Sequence, residues 1–210
     1  MPVFHLHIQK LLQGNFKLME INVAFAFQVN CPGCFMYGIP LVNGLFEKFN
    51  KETGFIGVST AFEDFDLNTA ANTLQLLKTG KLIGETGKYF NSVGIERFTG
   101  KILFPVAFDV LKPAKEFLTD ENILTVCNRN QKFTLLSSEE RQTMLMNVRE
   151  YYSPYRFIAE TFTLNQLQGT PSFIIFDNQY NLLQSFFGYQ DKELLESFLN
   201  DYLSASKIIK

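Results

Sequence analysis

The sequence predicts an α/β fold: a central mixed sheet flanked by helices, with insertions. Three observations predict it. Apolar, β-prone runs with few charges, such as "INVAFAFQV" (21–29), suit strands buried on both faces, as in parallel sheets. Stretches with apolar residues three and four apart alternate with those runs, the pattern of crossover helices. Near the C-terminal end, "SFIIFDNQYNLLQSFFG" reads as two strands around a short Asp-Asn-containing turn, an antiparallel addition at the sheet edge.

In chain order, the segment before Ile21 is expected to add a strand or hairpin, and 21–29 is the first core strand. Phe35, Ile39, Val42, Phe46 and Phe49 then line one helix face, kinked by Pro40. Gly54 suits the chain reversal after that helix, and "FIGVST" (55–60) is the next buried strand. Asp66 is the expected N-cap of a helix carrying Leu67, Ala70, Leu74 and Leu77, stopped at Gly80. Residues 81–104 read as loop with a short helix, and "PVAFDV" (105–110) as a strand. "KPAKEFL" reads as a short helix and "NILTVCNRN" as a strand or turn-bounded run. Ser137 and Glu140 form a capping box before a helix whose face is Met144, Leu145, Val148 and Tyr152. The last helix starts behind Asp191, with Leu194, Leu195, Phe198, Leu199 and Tyr202 as its stripe.

The 210 residues suffice for one sizeable core and favour a single elaborated domain, 1–210. A hydrophobic content of 46% with 23 Phe is globular, not disordered. A net charge of −2, with no basic run, points away from nucleic acid. No apolar run approaches the roughly 20 residues of a membrane span, and the N-terminus has no signal-peptide pattern. The expected setting is soluble and cytoplasmic. Three cysteines, Cys31, Cys34 and Cys127, are too few for a secreted disulfide framework.

"CPGC" (31–34) sits between a strand and a helix. A cysteine there meets unsatisfied backbone N–H groups and the positive end of the helix dipole, and both favour thiolate. Pro32 fits the first helical turn, where its missing N–H costs nothing. Gly33 leaves room for a partner chain. Cys34, one turn on, is placed to attack a mixed disulfide on Cys31. Cys31 is thus the candidate nucleophile and Cys34 the candidate resolving thiol. Two alternatives are a zinc site drawing on Cys127 and His5 or His7, and two inert buried cysteines. The expectation is no metal and no bound cofactor. Cys127 reads as a buried or semi-exposed bystander rather than a third redox centre, and His5 and His7 as neighbours on one strand face. Glu63, in the acidic stretch Glu63, Asp64, Asp66, is a candidate proton acceptor near Cys34.

The strand, "CPGC" and kinked helix, with "GTPSFIIFD" near the end, resemble the thioredoxin superfamily. The layout "FQVNCPGC…GIP…FIGVSTAFEDFD…FPVAFD…GTPSFIIFD" resembles TlpA-like redoxins, relatives of the thiol-specific antioxidant family. The resemblance covers roughly 21–66, 104–110 and 168–203. It implies a thioredoxin-like fold with insertions at roughly 67–103 and 111–165. It implies a cis bond at Pro171, facing the cysteine pair, and a Thr170 backbone that pairs with a bound substrate strand. Pro32, Gly33, Thr170 and Pro171 are then the substrate-binding residues. The activity implied is thiol-disulfide exchange on protein or small-molecule disulfides, served by a thiol reductant partner. Alternatives are a peroxiredoxin-like peroxidase and a non-enzymatic interaction module. Departures from the pattern are Asn30 for the usual Trp, Phe25 for the usual buried Asp, and Gln28 for the peroxidase Thr. Pro40 also falls six residues after Cys34, where thioredoxin has five. The 138–152 helix reads as an insertion that covers the site or binds a partner.

Overall fold

The computed structural model describes residues 2–208. The strands are β1 (Ile8–Gln13), β2 (Ile21–Phe27), β3 (Thr53–Ser59), β4 (Val106–Asp109), β5 (Leu111–Pro113), β6 (Phe157–Ala159), β7 (Ser172–Asp177) and β8 (Leu182–Phe187). The helices are α1 (Ile39–Phe49), α2 (Ala70–Thr79), α3 (Gly84–Ser92), α4 (Ala114–Phe117), α5 (Asp120–Asn128), α6 (Ser138–Tyr152), α7 (Glu160–Leu164) and α8 (Lys192–Ile208). Six strands form a mixed sheet in the order β1-β4-β3-β2-β7-β8, and β5 pairs with β6 in a separate ribbon. β2, β3 and β4 are parallel. β7 runs antiparallel to β2, β8 to β7, and β1 to β4. The expected N-terminal strand is therefore β1, at the far edge from the hairpin β7–β8.

Every residue of β2 and β3 is buried, as their uninterrupted apolar character requires. The two faces divide the sequence by alternation. Val23, Phe25 and Phe27 face a cluster with Val42 and Leu45 of α1 and Leu195 and Leu199 of α8. Ala24 and Ala26 face a smaller cluster with Phe4, Val58 and Phe176. Phe25 stacks on Phe27 (5.4 Å between centroids) and Phe173 (5.3 Å) and meets Phe104 edge-on. Each fully buried side chain of this size contributes roughly 1.5–3 kcal/mol. The aromatic stack fixes the floor under the cysteine loop.

Several local expectations are corrected. Gly54 is not at the reversal but inside β3. A Cβ there would meet Asn22 Oδ1 at 2.2 Å and the Lys17 carbonyl at 2.6 Å, so close packing demands the glycine. The N-cap of α2 is Thr69, not Asp66; its side chain accepts from the Asn72 N–H. The buried residues of that helix are Thr73 and Leu76, one step from the expected stripe. "NILTVCNRN" is no strand: Thr119 caps α5, which buries Ile123, Val126 and Cys127 at helical spacing. α6 carries the capping box of Ser137 and Glu140. Its face of Met144, Leu145 and Val148 packs on the small core around Ile123 and Phe133. Among the described residues no helix is long and apolar enough to cross a membrane.

Candidate active site

The site sits where β2 ends. The Cys31 N–H donates to the Gln28 carbonyl (3.3 Å), closing the turn between strand and helix. Helical backbone begins at Pro32, but Cys34–Gly38 is a π-turn in which the Ile39 N–H donates to the Cys34 carbonyl. The wide turn takes up one extra residue. That accounts for the six-residue spacing to Pro40, which stands in the first turn of α1, where its missing N–H is tolerated.

Cys31 is half-buried and Cys34 has no exposed surface; both are free thiols. The two cysteines approach to 2.8 Å. The Cys34 N–H donates to Cys31 Sγ at 3.3 Å. Their acidities split. Cys31 is lowered to about 6, first by the hydrogen bond from the Cys34 thiol, then by Thr170 and the N–H groups of Cys34 and Gly33, against burial. Cys34 is pushed well up, first by burial and then by sharing that hydrogen bond and the charge of Cys31. At neutral pH the outer sulfur is a thiolate and the inner one holds a proton.

The other wall is the segment before β7. The Thr170–Pro171 bond is cis. Cys31 Sγ lies 3.4 Å from the Thr170 carbonyl oxygen. The Pro171 carbonyl accepts from the Gly188 N–H at 2.9 Å. Thr170 Oγ1 donates to Gln28 Oε1 at 3.1 Å. The structure thus brings Cys31, Cys34, Thr170 and Pro171 together. Pro32 and Gly33 lie in the turn between the sulfurs.

Three residues complete the site. Asn30 ties the cysteine loop to two segments, the loop before α2 and the start of α3. Its Nδ2 donates to Asp64, its Oδ1 accepts from the Glu85 N–H, and its N–H donates to Asn68 Oδ1. The acidic stretch therefore meets the site through Asp64, while Glu63 is exposed. Tyr37 lies against Gly33: a Cβ on that glycine would meet the phenol oxygen at 2.6 Å. Gln28 is buried beside Thr170. The signal for Asn30 and Gln28 was a polar residue in an apolar context; Tyr37 gave none, because its neighbour Gly33 is reached only through the helical turn.

The remaining candidates lie elsewhere. Cys127 is buried with Ile123 and Phe133. His5 and His7 do share a face, their rings 6.3 Å apart. Among the described residues, no group of three or more His, Cys, Asp or Glu is arranged to hold a metal ion.

No family model matches the chain. No curated protein sequence matches it either. Solved structures do. A thiol-disulfide isomerase from Corynebacterium glutamicum superposes with a TM-score of 0.56 at 20% identity, covering 95% of this chain and 94% of that one. A thioredoxin-like superfamily protein superposes with a TM-score of 0.55 at 20% identity, covering 96% of each chain. At that identity the likeness speaks for architecture, and the mixed sheet with its strand–cysteine–helix junction agrees with it: the chain has a thioredoxin-like fold.

Proposed function

We propose that the protein is a thiol-disulfide oxidoreductase that cycles Cys31 and Cys34 between dithiol and disulfide. The observation that carries this reading is the split between the two sulfurs. Cys31 is accessible and lowered to about 6, while Cys34 is enclosed and raised. An attacking thiol is most effective when its pKa lies near the ambient pH. Cys31 attacks a substrate disulfide and forms a mixed disulfide. Cys34 then attacks Cys31, and the substrate leaves as a dithiol. Pro32, Gly33, Thr170 and Pro171 form the surface that a substrate strand meets, with the Thr170 backbone beside the reacting sulfur. A disulfide-bearing protein or small molecule is the substrate, and a thiol reductant returns the pair to its reduced state. The low cysteine count supports a reducing, cytoplasmic setting.

The test is a trapping experiment. Cys34→Ser, incubated with a disulfide-bearing protein such as insulin, should accumulate a mixed disulfide through Cys31. Wild type should turn insulin over in the presence of dithiothreitol, and Cys31→Ser should do neither. A Cys34→Ser protein that captures nothing, with wild type no faster than dithiothreitol alone, would remove the reading.

A further inference from the structure

Two segments that reach the cysteine loop also line an aromatic cavity. Asp64 holds Asn30, the residue before Cys31, by a hydrogen bond of 2.7 Å. Two residues before Asp64, Phe62 stacks face to face on Phe162 of α7, with 3.9 Å between centroids. From the other side, Leu167 stands three residues before Thr170, so at most about 11 Å of chain separates them. Phe62, Phe162 and Leu167 line a cavity of about 200 Å³, closed by Tyr151 and Tyr152 of α6 and by Tyr155.

Tyr152 has a packing role: its ring lies 6.3 Å from Phe117 and covers the small core there. Tyr151 and Tyr155 are 62% and 38% exposed, beyond what covering that core needs. They join Tyr152 in a cluster with centroids 4.9 to 6.0 Å apart. Exposed rings gathered at a cavity mark a binding surface. Gln166 presets its inner side. Its Nε2 donates to the Tyr152 hydroxyl at 3.2 Å and to the Thr163 carbonyl at 2.6 Å. Its backbone is left-handed, with φ 49°, a conformation that costs energy in residues other than glycine and recurs at ligand sites.

Size and charge select the occupant. An apolar cavity of about 150 Å³ accepts benzene, so this one takes a single aromatic side chain. Among the described residues, none of those lining it is charged. The Arg156 guanidinium lies 5.2 Å from the centroid of Phe157, another lining ring, so a cationic group would meet a like charge. The phenol oxygens suit the polar tip of a Trp or Tyr side chain.

We propose that this cavity is a side-chain subsite for a polypeptide substrate, taking a Trp or Tyr about three positions from the substrate's reacting cysteine. The inference rests on the oxidoreductase reading and names its substrate class. A polypeptide is the occupant because the cavity lies along the chain from Thr170, whose backbone is the edge proposed to meet a substrate strand. A strand advances about 3.3 Å per residue, so the step from Thr170 to Leu167 is matched by an equal step in the substrate.

The test uses short peptides with one cysteine activated as a mixed disulfide with thionitrobenzoate. Trp, or Ala as control, is placed three residues before or after that cysteine. In Cys34→Ser, the Cys31 thiolate attacks the peptide sulfur, and thionitrobenzoate leaves with the bonding electron pair. The protein contains no Trp, so the peptide supplies the only indole in the trapped complex. One of the two Trp peptides should react about tenfold faster than its Ala counterpart, the scale of burying one aromatic side chain. Its indole emission should shift to the blue once trapped. These two readouts stand without a pocket variant. Tyr151→Ala with Tyr155→Ala, added to Cys34→Ser, should bring the two rates together and return the emission to that of free peptide. Equal rates for Trp and Ala peptides, a trapped indole with solvent-like emission, or a preference that survives loss of both tyrosines would overturn the inference. Failure of Cys34→Ser to capture any peptide sinks the oxidoreductase reading itself, and this inference with it.

Discussion

Gly38 lies directly against Pro171. A Cβ on Gly38 would sit 3.3 Å from Pro171 Cβ and 2.8 Å from Phe25 Cζ. The π-turn of the cysteine helix, the proline loop and the aromatic floor therefore meet at one glycine.

Gly38→Ala sets two effects against each other. Alanine is favoured over glycine in a helix by about 1 kcal/mol. Overpacking a well-filled core costs about 1–3 kcal/mol. Overpacking should win, because Phe25 is held by Phe27, Phe104 and Phe173 and cannot retreat. The variant should unfold at lower denaturant with an unchanged slope. It should also slow disulfide exchange, since Pro171 is the other neighbour in the way. A variant as stable and as active as wild type would show that the contact is slack.

Alkylation of the reduced protein should reveal the split acidities. Cys31 should react with iodoacetamide half-maximally near pH 6, and Cys34 only at much higher pH. The Cys34 thiol is the first cause of the lowering, so Cys34→Ala should move the Cys31 midpoint upward. The linked stability has a definite sign. The folded pKa lies below the ordinary 9.0, so this contribution is present at high pH and is lost as pH falls through about 6. Reduced wild type should therefore gain on Cys31→Ala as pH rises across that window, read by denaturant titration.

Asp109 titrates the other way. It is fully buried at the end of β4, where its carboxylate accepts from the Thr60 hydroxyl and the N–H groups of Thr161 and Phe162. It fastens α7 to the main sheet. Burial outweighs these bonds and raises the carboxyl to about 6. Asp109→Ala strands two backbone donors and should cost roughly 2–6 kcal/mol, at about 1–3 for each unmade bond. Because the folded pKa lies above the ordinary 3.8, its stabilising contribution is complete below that value and is lost as pH rises through about 6. Wild type should gain on Asp109→Asn as pH falls from 7 to 4. A constant difference across that range would contradict the assignment.

Sequence pattern reached the parts of the molecule that repeat. β2 and β3 were visible as charge-free runs, and α6 by its Ser137–Glu140 box, because burial and capping leave periodic or fixed-offset marks. α5 was hidden because Val126 and Thr125 suggest strand, while its helical marks are few: the Thr119 cap, and Val126 and Cys127 three and four residues after Ile123. Gly54 looked like a turn glycine because the chain does reverse nearby; only the packing of Asn22 and Lys17 places it inside β3. At the site, Cys31 and Cys34 were legible from spacing, and Thr170–Pro171 from family resemblance. The contacts of Asn30 with Asp64, Asn68 and Glu85, and of Gln28 with Thr170, span 34 to 142 positions and leave no local trace.

The most direct test of the account is a redox titration of Cys31 and Cys34 across a glutathione series, read by thiol alkylation, with Cys34→Ala as control. The account predicts one reversible two-electron transition that joins the two cysteines, leaves Cys127 alkylatable only on unfolding, and vanishes in Cys34→Ala. Two cysteines that alkylate independently at every potential, with no reversible transition, would contradict it.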